Sequence, residues 1–138
     1  MRVLIDTNVA LTYVSGRDDL FSNEVDAIMQ KCAKEEIEGA LAFHSLSTIW
    51  YQTRKLPDAT RRDWIRQLCE LLTISGANNK AVLSAINDES FKDFEDALQD
   101  CCATSFEADF TITANIKDFK GVSKVPALTP KEFLELEL

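Results

Sequence analysis

The first apolar run of the chain, Val3-Leu4-Ile5, stops at Asp6-Thr7-Asn8. Such a run reads as a buried strand, and in open α/β sheets the crevice outside the carboxyl ends of the strands is where ligands bind. Asp6 therefore sits where chemistry is expected. A second acidic group lies within residues 90–103, where Asp93, Asp96 and Asp100 follow spacings of three and four and share one helix face. Phe94, Ala97, Leu98, Cys101 and Cys102 make the apolar side of that helix, and Glu95 points elsewhere. A third group, Asn115 and Asp118, follows residues 110–113, which read as a buried strand, and falls in a loop on the same sheet edge as Asp6 if the sheet is parallel. Carboxylates gathered without His or suitable Cys partners are hard oxygen donors, which points to Mg²⁺ or Mn²⁺ held by a few carboxylates and several waters. Plainer readings stand beside this one. Charge runs are usually solvated helix turns, and Asn and Asp populate loops for local reasons.

The elements that must position these groups alternate. Residues 2–5 read as a strand, 8–14 as a short helix stopped near Gly16, and 23–34 as a helix with Val25, Ile28, Met29 and Cys32 at helical spacing. Residues 40–43 form a second strand, followed by a helix that Ser45 caps and that carries Leu46, Ile49, Trp50 and Thr53. An amphipathic helix over 59–71 leads into a strand at 72–75, helices follow at 79–86 and 91–105, and further strands at 110–113 and 125–128. Thr129-Pro130 opens a terminal helix over 131–136. Strands alternating with helices imply an α/β fold: a parallel sheet with helices on both faces.

At 138 residues and 46% hydrophobic, the chain is expected to be one domain that buries roughly two-thirds of its unfolded surface. Cys32, Cys69, Cys101 and Cys102 have no CxxC spacing and one His cannot complete a zinc site, so reduced cysteines in a cytoplasmic protein without a membrane segment are expected. Fifteen basic against twenty-three acidic residues, a formal charge of −8, argue against a broad basic surface for nucleic acid. An acidic site holding a divalent cation reverses its sign locally and can still bind phosphate.

Four segments carry a resemblance. Ile5-Asp6-Thr7-Asn8-Val9, Asp93-Phe94-Glu95-Asp96-Ala97, Thr113 through Phe119, and Leu128-Thr129-Pro130-Lys131-Glu132-Phe133, in this order, resemble the PIN domain family across nearly the whole chain. The resemblance implies a three-layer, Rossmann-like α/β/α sandwich with a mostly parallel central sheet over residues 1–138. It also implies a Mg²⁺- or Mn²⁺-dependent endoribonuclease, a VapC-like toxin of a VapBC-type toxin–antitoxin pair. Carried over by position, Asp6, Asp96 and Asp118 become catalytic metal ligands and Asp93 a further catalytic acid near the rim, with Asn8, Thr48, Thr113 and Asn115 supporting. The implied partners are an RNA substrate, an antitoxin whose basic side chain enters the acidic crevice, and a second copy in a homodimer.

Two positions depart from the family pattern. Thr48 falls where a Glu is expected in the helix after the second strand, and Ala114 where related chains often carry Arg. Thr48 favours an alternative, a catalytically weakened PIN-like domain that binds protein or RNA; a nuclease of RNA processing is a third reading. His44 is read as structural and outside the site, and Arg54, Lys55, Arg61, Arg62 and Arg66 as a solvated helix face rather than RNA contacts.

Overall fold

The computed structural model describes residues 1–136. Five strands, β1 (Arg2–Ile5), β2 (Glu38–Ala42), β3 (Thr73–Ser75), β4 (Phe110–Ile112) and β5 (Ala127–Leu128), form one sheet in the order β3-β2-β1-β4-β5. All four pairings are parallel. β1 is central, and Val3, Leu4 and Ile5 are each fully buried, as a continuous apolar run requires when both sheet faces are covered.

The period of two along the strands divides the core. Val3, Ile5, Leu41 and Ile112 face a layer built from α1 (Thr7–Ser15), α2 (Ser22–Ala33), α3 (Phe43–Gln52), α4 (Asp58–Leu71) and α8 (Pro130–Leu134). Leu4, Ala40 and Ala42 face α6 (Phe94–Ser105) through Cys102 and Ala103. α5 (Asn79–Asn87) and α7 (Ile116–Phe119) flank α6, where Phe91 meets Phe119 edge-on at 5.9 Å between ring centroids. The expected three-layer α/β/α sandwich with a parallel sheet is therefore observed. Among the described residues no helix is long and apolar enough to cross a membrane.

Local chemistry sets the boundaries. Gly16 ends α1 in the left-handed region at φ 63°, and Thr129 with Glu132 forms a reciprocal capping box before Pro130. Three expectations need correction. Ser45 is not a cap: α3 begins at Phe43, so Ser45 is the third residue of its first turn and is fully buried. Residues 91–93 precede α6, because the Asp93 side chain accepts from the Glu95 N–H at 2.9 Å and starts the helix at Phe94. The loop after β4 contains the short helix α7, drawn inward by the fully buried Phe119.

Arg61 also leaves its expected place on a solvated face. It is buried with its guanidinium 3.5 Å from the Trp50 ring centroid, donates to the Trp50 carbonyl, and binds Asp58 at 3.3 Å, tying α4 to α3.

Candidate active site

Asp6 ends β1 and precedes α1 with extended backbone, and its own N–H donates to the Ile112 carbonyl at 3.0 Å. The Thr7 N–H donates to Oδ1 at 2.8 Å and the Thr113 hydroxyl to Oδ2 at 2.8 Å. The carboxylate is thereby fixed between the ends of two adjacent parallel strands while only 3% of the residue is exposed. Burial pushes its pKa up to about 6, opposed by the Thr113 bond, reinforced by the charge of Glu95, and opposed again by the Thr7 N–H and His44.

Across the crevice the first turn of α6 carries Glu95 and Asp96, with Asp93 capping it, in the position where a helix N-terminus favours negative charge. The pKa of Asp96 is nonetheless raised to about 7, by burial first and then by the charges of Asp6, Glu95, Asp93 and Asp118 in that order. The charges of Asp6, Asp93 and Asp118 thus all reach Asp96, although the four residues come from the end of β1, the start of α6 and α7. Asp93 and Asp118 are exposed, Asn8 is half-buried at the start of α1, and Asn115 is exposed with its N–H donating to the Thr113 hydroxyl at 3.0 Å.

Asp100 is absent from this group. One turn deeper on α6, its two carboxylate oxygens accept from the backbone N–H groups of Lys124 and Val125 at 2.9 and 3.1 Å. Glu95 moves the other way. Expected off the acidic face, it raises the pKa of both Asp6 and Asp96 and stands 3.6 Å from Nε2 of His44. His44, read from sequence as outside the site, is therefore at its wall.

Beneath lies a polar cluster that spacing alone did not reveal. Gln99 is fully buried on α6, and its Nε2 lies 2.9 Å from the Thr7 hydroxyl, 2.9 Å from the Ser45 hydroxyl and 3.2 Å from His44 Nε2. Thr7 and Ser45 share a hydrogen bond of 2.7 Å. One sequence signal for this cluster exists: Glu95 and Gln99 are separated by four, so both lie on one side of α6 and meet α3 together. Thr48, at the position where the sequence resemblance implies a Glu, is half-buried and donates to the His44 carbonyl at 3.4 Å.

The donor set suits a hard divalent cation. Its atoms are carboxylate oxygens, Glu95 Oε2 is buried without a hydrogen-bond partner, and the pKa values of Asp6 and Asp96 are raised by burial first and by neighbouring carboxylate charge second. Among the described residues no three His, Cys, Asp or Glu side chains stand close enough to share one ion. Mg²⁺ does not require three, since it retains several waters and is commonly bound by one or two carboxylates.

A family model for the PIN domain matches residues 2–117. The chain belongs to the PIN domain family. The match takes in the strand end at Asp6, the acidic turn of α6 and Asn115, and stops one residue before Asp118. No curated protein matches the sequence. Among solved structures, this PIN domain is similar to a chain of VapBC2 from Rickettsia felis, in a complex bound to a promoter DNA fragment, with TM-score 0.70, 16% identity, and 94% of this chain and 98% of that chain covered. It is also similar to a chain of VapBC-1 from nontypeable Haemophilus influenzae, with TM-score 0.70, 15% identity and 95% and 99% covered. A chain of a toxin–antitoxin complex from Klebsiella pneumoniae matches with TM-score 0.67, 20% identity and 93% and 97% covered. At these identities the likeness is one of fold.

Proposed function

We propose that this PIN domain, acting as a single domain over residues 1–138, is a Mg²⁺- or Mn²⁺-dependent endoribonuclease of VapC type that works in the cytoplasm, pairs with an antitoxin and forms a homodimer. The observation that carries the reading is the placement of Asp6 and Asp96 at the carboxyl edge of a PIN-type sheet, where burial first, then the charge of Glu95 on both and of Asp6 on Asp96, raises their pKa values. PIN family membership supports nuclease chemistry and a divalent metal in general terms. The toxin–antitoxin setting of the similar structures supports the partner.

In this mechanism Asp6 and Asp96 would hold the cation, directly or through water, and Asp118 and Asn115 would complete or orient the surrounding shell. When bound, the metal supplies charge neutralisation at the phosphate and lowers the pKa of the attacking water. Asp6 is kept in one orientation by Thr113 and Thr7, so it spends no reorganisation during the reaction. Asp93, exposed at the helix cap, serves as a further acid near the rim of the site. Glu95 contributes the carboxylate that Thr48 lacks, 3.6 Å from His44 Nε2. Asn8, Thr48 and Thr113 support these groups without carrying charge.

The specific observation favouring a silent binding module is Thr48, whose hydroxyl is turned to its own helix. One experiment separates the two. Purified protein is incubated with unstructured and hairpin RNAs in Mg²⁺, Mn²⁺ or EDTA, beside Asp6→Asn, Glu95→Gln and Asp96→Asn. Metal-dependent cutting lost in the aspartate variants upholds the nuclease. Absence of cutting by the natural chain, with activity in Thr48→Glu, would identify a disabled site and favour the binding module.

A further inference from the structure

Two exposed aromatic residues directly precede, in sequence, residues that line the acidic crevice, and neither is packed into the core. Phe43 is the first residue of α3 and 67% exposed; Phe94 is the first residue of α6 and 49% exposed. Neither joins any of the three apolar core clusters among the described residues. The residues that follow them, His44 and Glu95, approach across the crevice at 3.6 Å, so the two helix starts that carry Phe43 and Phe94 adjoin one contact in the site.

We propose that Phe43 and Phe94 are stacking positions for unpaired nucleobases on the two sides of the phosphate that is cut. This rests on the ribonuclease reading above and adds the residues that select unpaired substrate. A chain of net charge −8 has little electrostatic attraction for RNA beyond the cation site, and Arg61, the most buried of its clustered basic residues, is committed to Trp50. Affinity must then come from a term that ignores charge. Stacking on aromatic faces is such a term, tolerates any base, and requires bases free of a duplex. The residue next to each ring is polar, His44 and Glu95, whereas the centre of a protein interface is a continuous apolar patch depleted of charge. Base stacking therefore fits this surface better than a protein partner does.

The test is binding, measured apart from cleavage. Anisotropy of a fluorescein-labelled, unstructured six-nucleotide RNA is compared with that of an abasic six-mer of equal charge, with Mg²⁺ in the non-cleaving Asp96→Asn background and with EDTA in the natural chain. The base-bearing RNA is expected to bind about tenfold tighter or more, and Phe43→Ala or Phe94→Ala to remove about five- to tenfold each. Trp at either position should retain binding and Leu should not, which separates stacking from simple apolar contact, and melting temperatures should stay unchanged because both rings are exposed. Equal binding of the two RNAs, absence of binding, or undiminished binding by the Ala variants would overturn the proposal. So would Ala variants that alter only self-association in sedimentation, since a second copy would then be what covers the rings. Cutting by the natural chain with both Phe variants unaffected would sink stacking and spare the nuclease; base-dependent binding without cutting would do the reverse.

Discussion

The Thr113 hydroxyl donates to Oδ2 of Asp6 at 2.8 Å, joining residues 107 positions apart in sequence. The parallel pairing of β1 with β4 brings them together, with Ile5 beside Ile112 in register. Because the bond stabilises the ionised carboxylate, its removal has a definite sign. Thr113→Val should push the Asp6 pKa above about 6, shift the acidic limb of the pH–rate profile upward, and lower kcat/KM by about 10- to 100-fold. A pH–rate profile that coincides with that of the natural chain would show that Thr113 does not tune Asp6.

Asp6 and Asp96 both have folded-state pKa values above the ordinary 3.8, about 6 and about 7. A raised carboxyl binds its proton more tightly folded than unfolded, so its contribution favours folding at low pH and is lost as pH rises from about 4 to about 7. In metal-free protein the stability difference between Asp6→Asn and the natural chain should grow across that window, by about 2–3 kcal/mol. The half-exposed Asp96 should contribute less, because solvent screens it. Urea melts from pH 4 to 7.5 check this, and a pH-independent difference would contradict it. Mg²⁺ should raise the melting temperature at pH 7.5 more than at pH 5, where protons compete for the same oxygens.

Asp100 is acidic but not part of the cluster, and its replacement separates stability from chemistry. Asp100→Ala leaves the N–H groups of Lys124 and Val125 without their acceptors and should cost on the order of 2–4 kcal/mol in a urea melt. A loss below ~0.5 kcal/mol would mean that water replaces the carboxylate there.

At Gly39 a Cβ would come within 2.7 Å of Leu72 Cδ2 and 2.8 Å of Cys32 Sγ. Gly39→Ala should therefore destabilise by about 1–3 kcal/mol through overpacking between β2 and α2. A thermal melt of the variant matching the natural chain would show that the two side chains move aside.

The alternation of strands and helices was legible because burial on both faces demands continuous apolar strands and one-sided helices, as in Val3-Leu4-Ile5 and in Val25, Ile28, Met29 and Cys32. Asp6 was legible for the same reason, as the polar residue that ends a buried strand. Glu95 and Asp100 were misjudged because spacing gives an angle around a helix and not the neighbours that helix meets. The start of α6, set by the Asp93 cap, and the packing of α3 against it bring Glu95 to the crevice, while the Lys124–Val125 backbone claims Asp100.

Sequence alone determined the layers of this protein, the acidic residues available to it and the PIN resemblance, since periodicity, caps and motif order are local properties written along one chain. Only the tertiary structure decided which acids meet. Sheet order brings β4 beside β1 and hence Thr113 onto Asp6, and helix packing buries Gln99 among Thr7, Ser45 and His44. Charge coupling and desolvation depend on distances through space, and those exist only after the chain has folded.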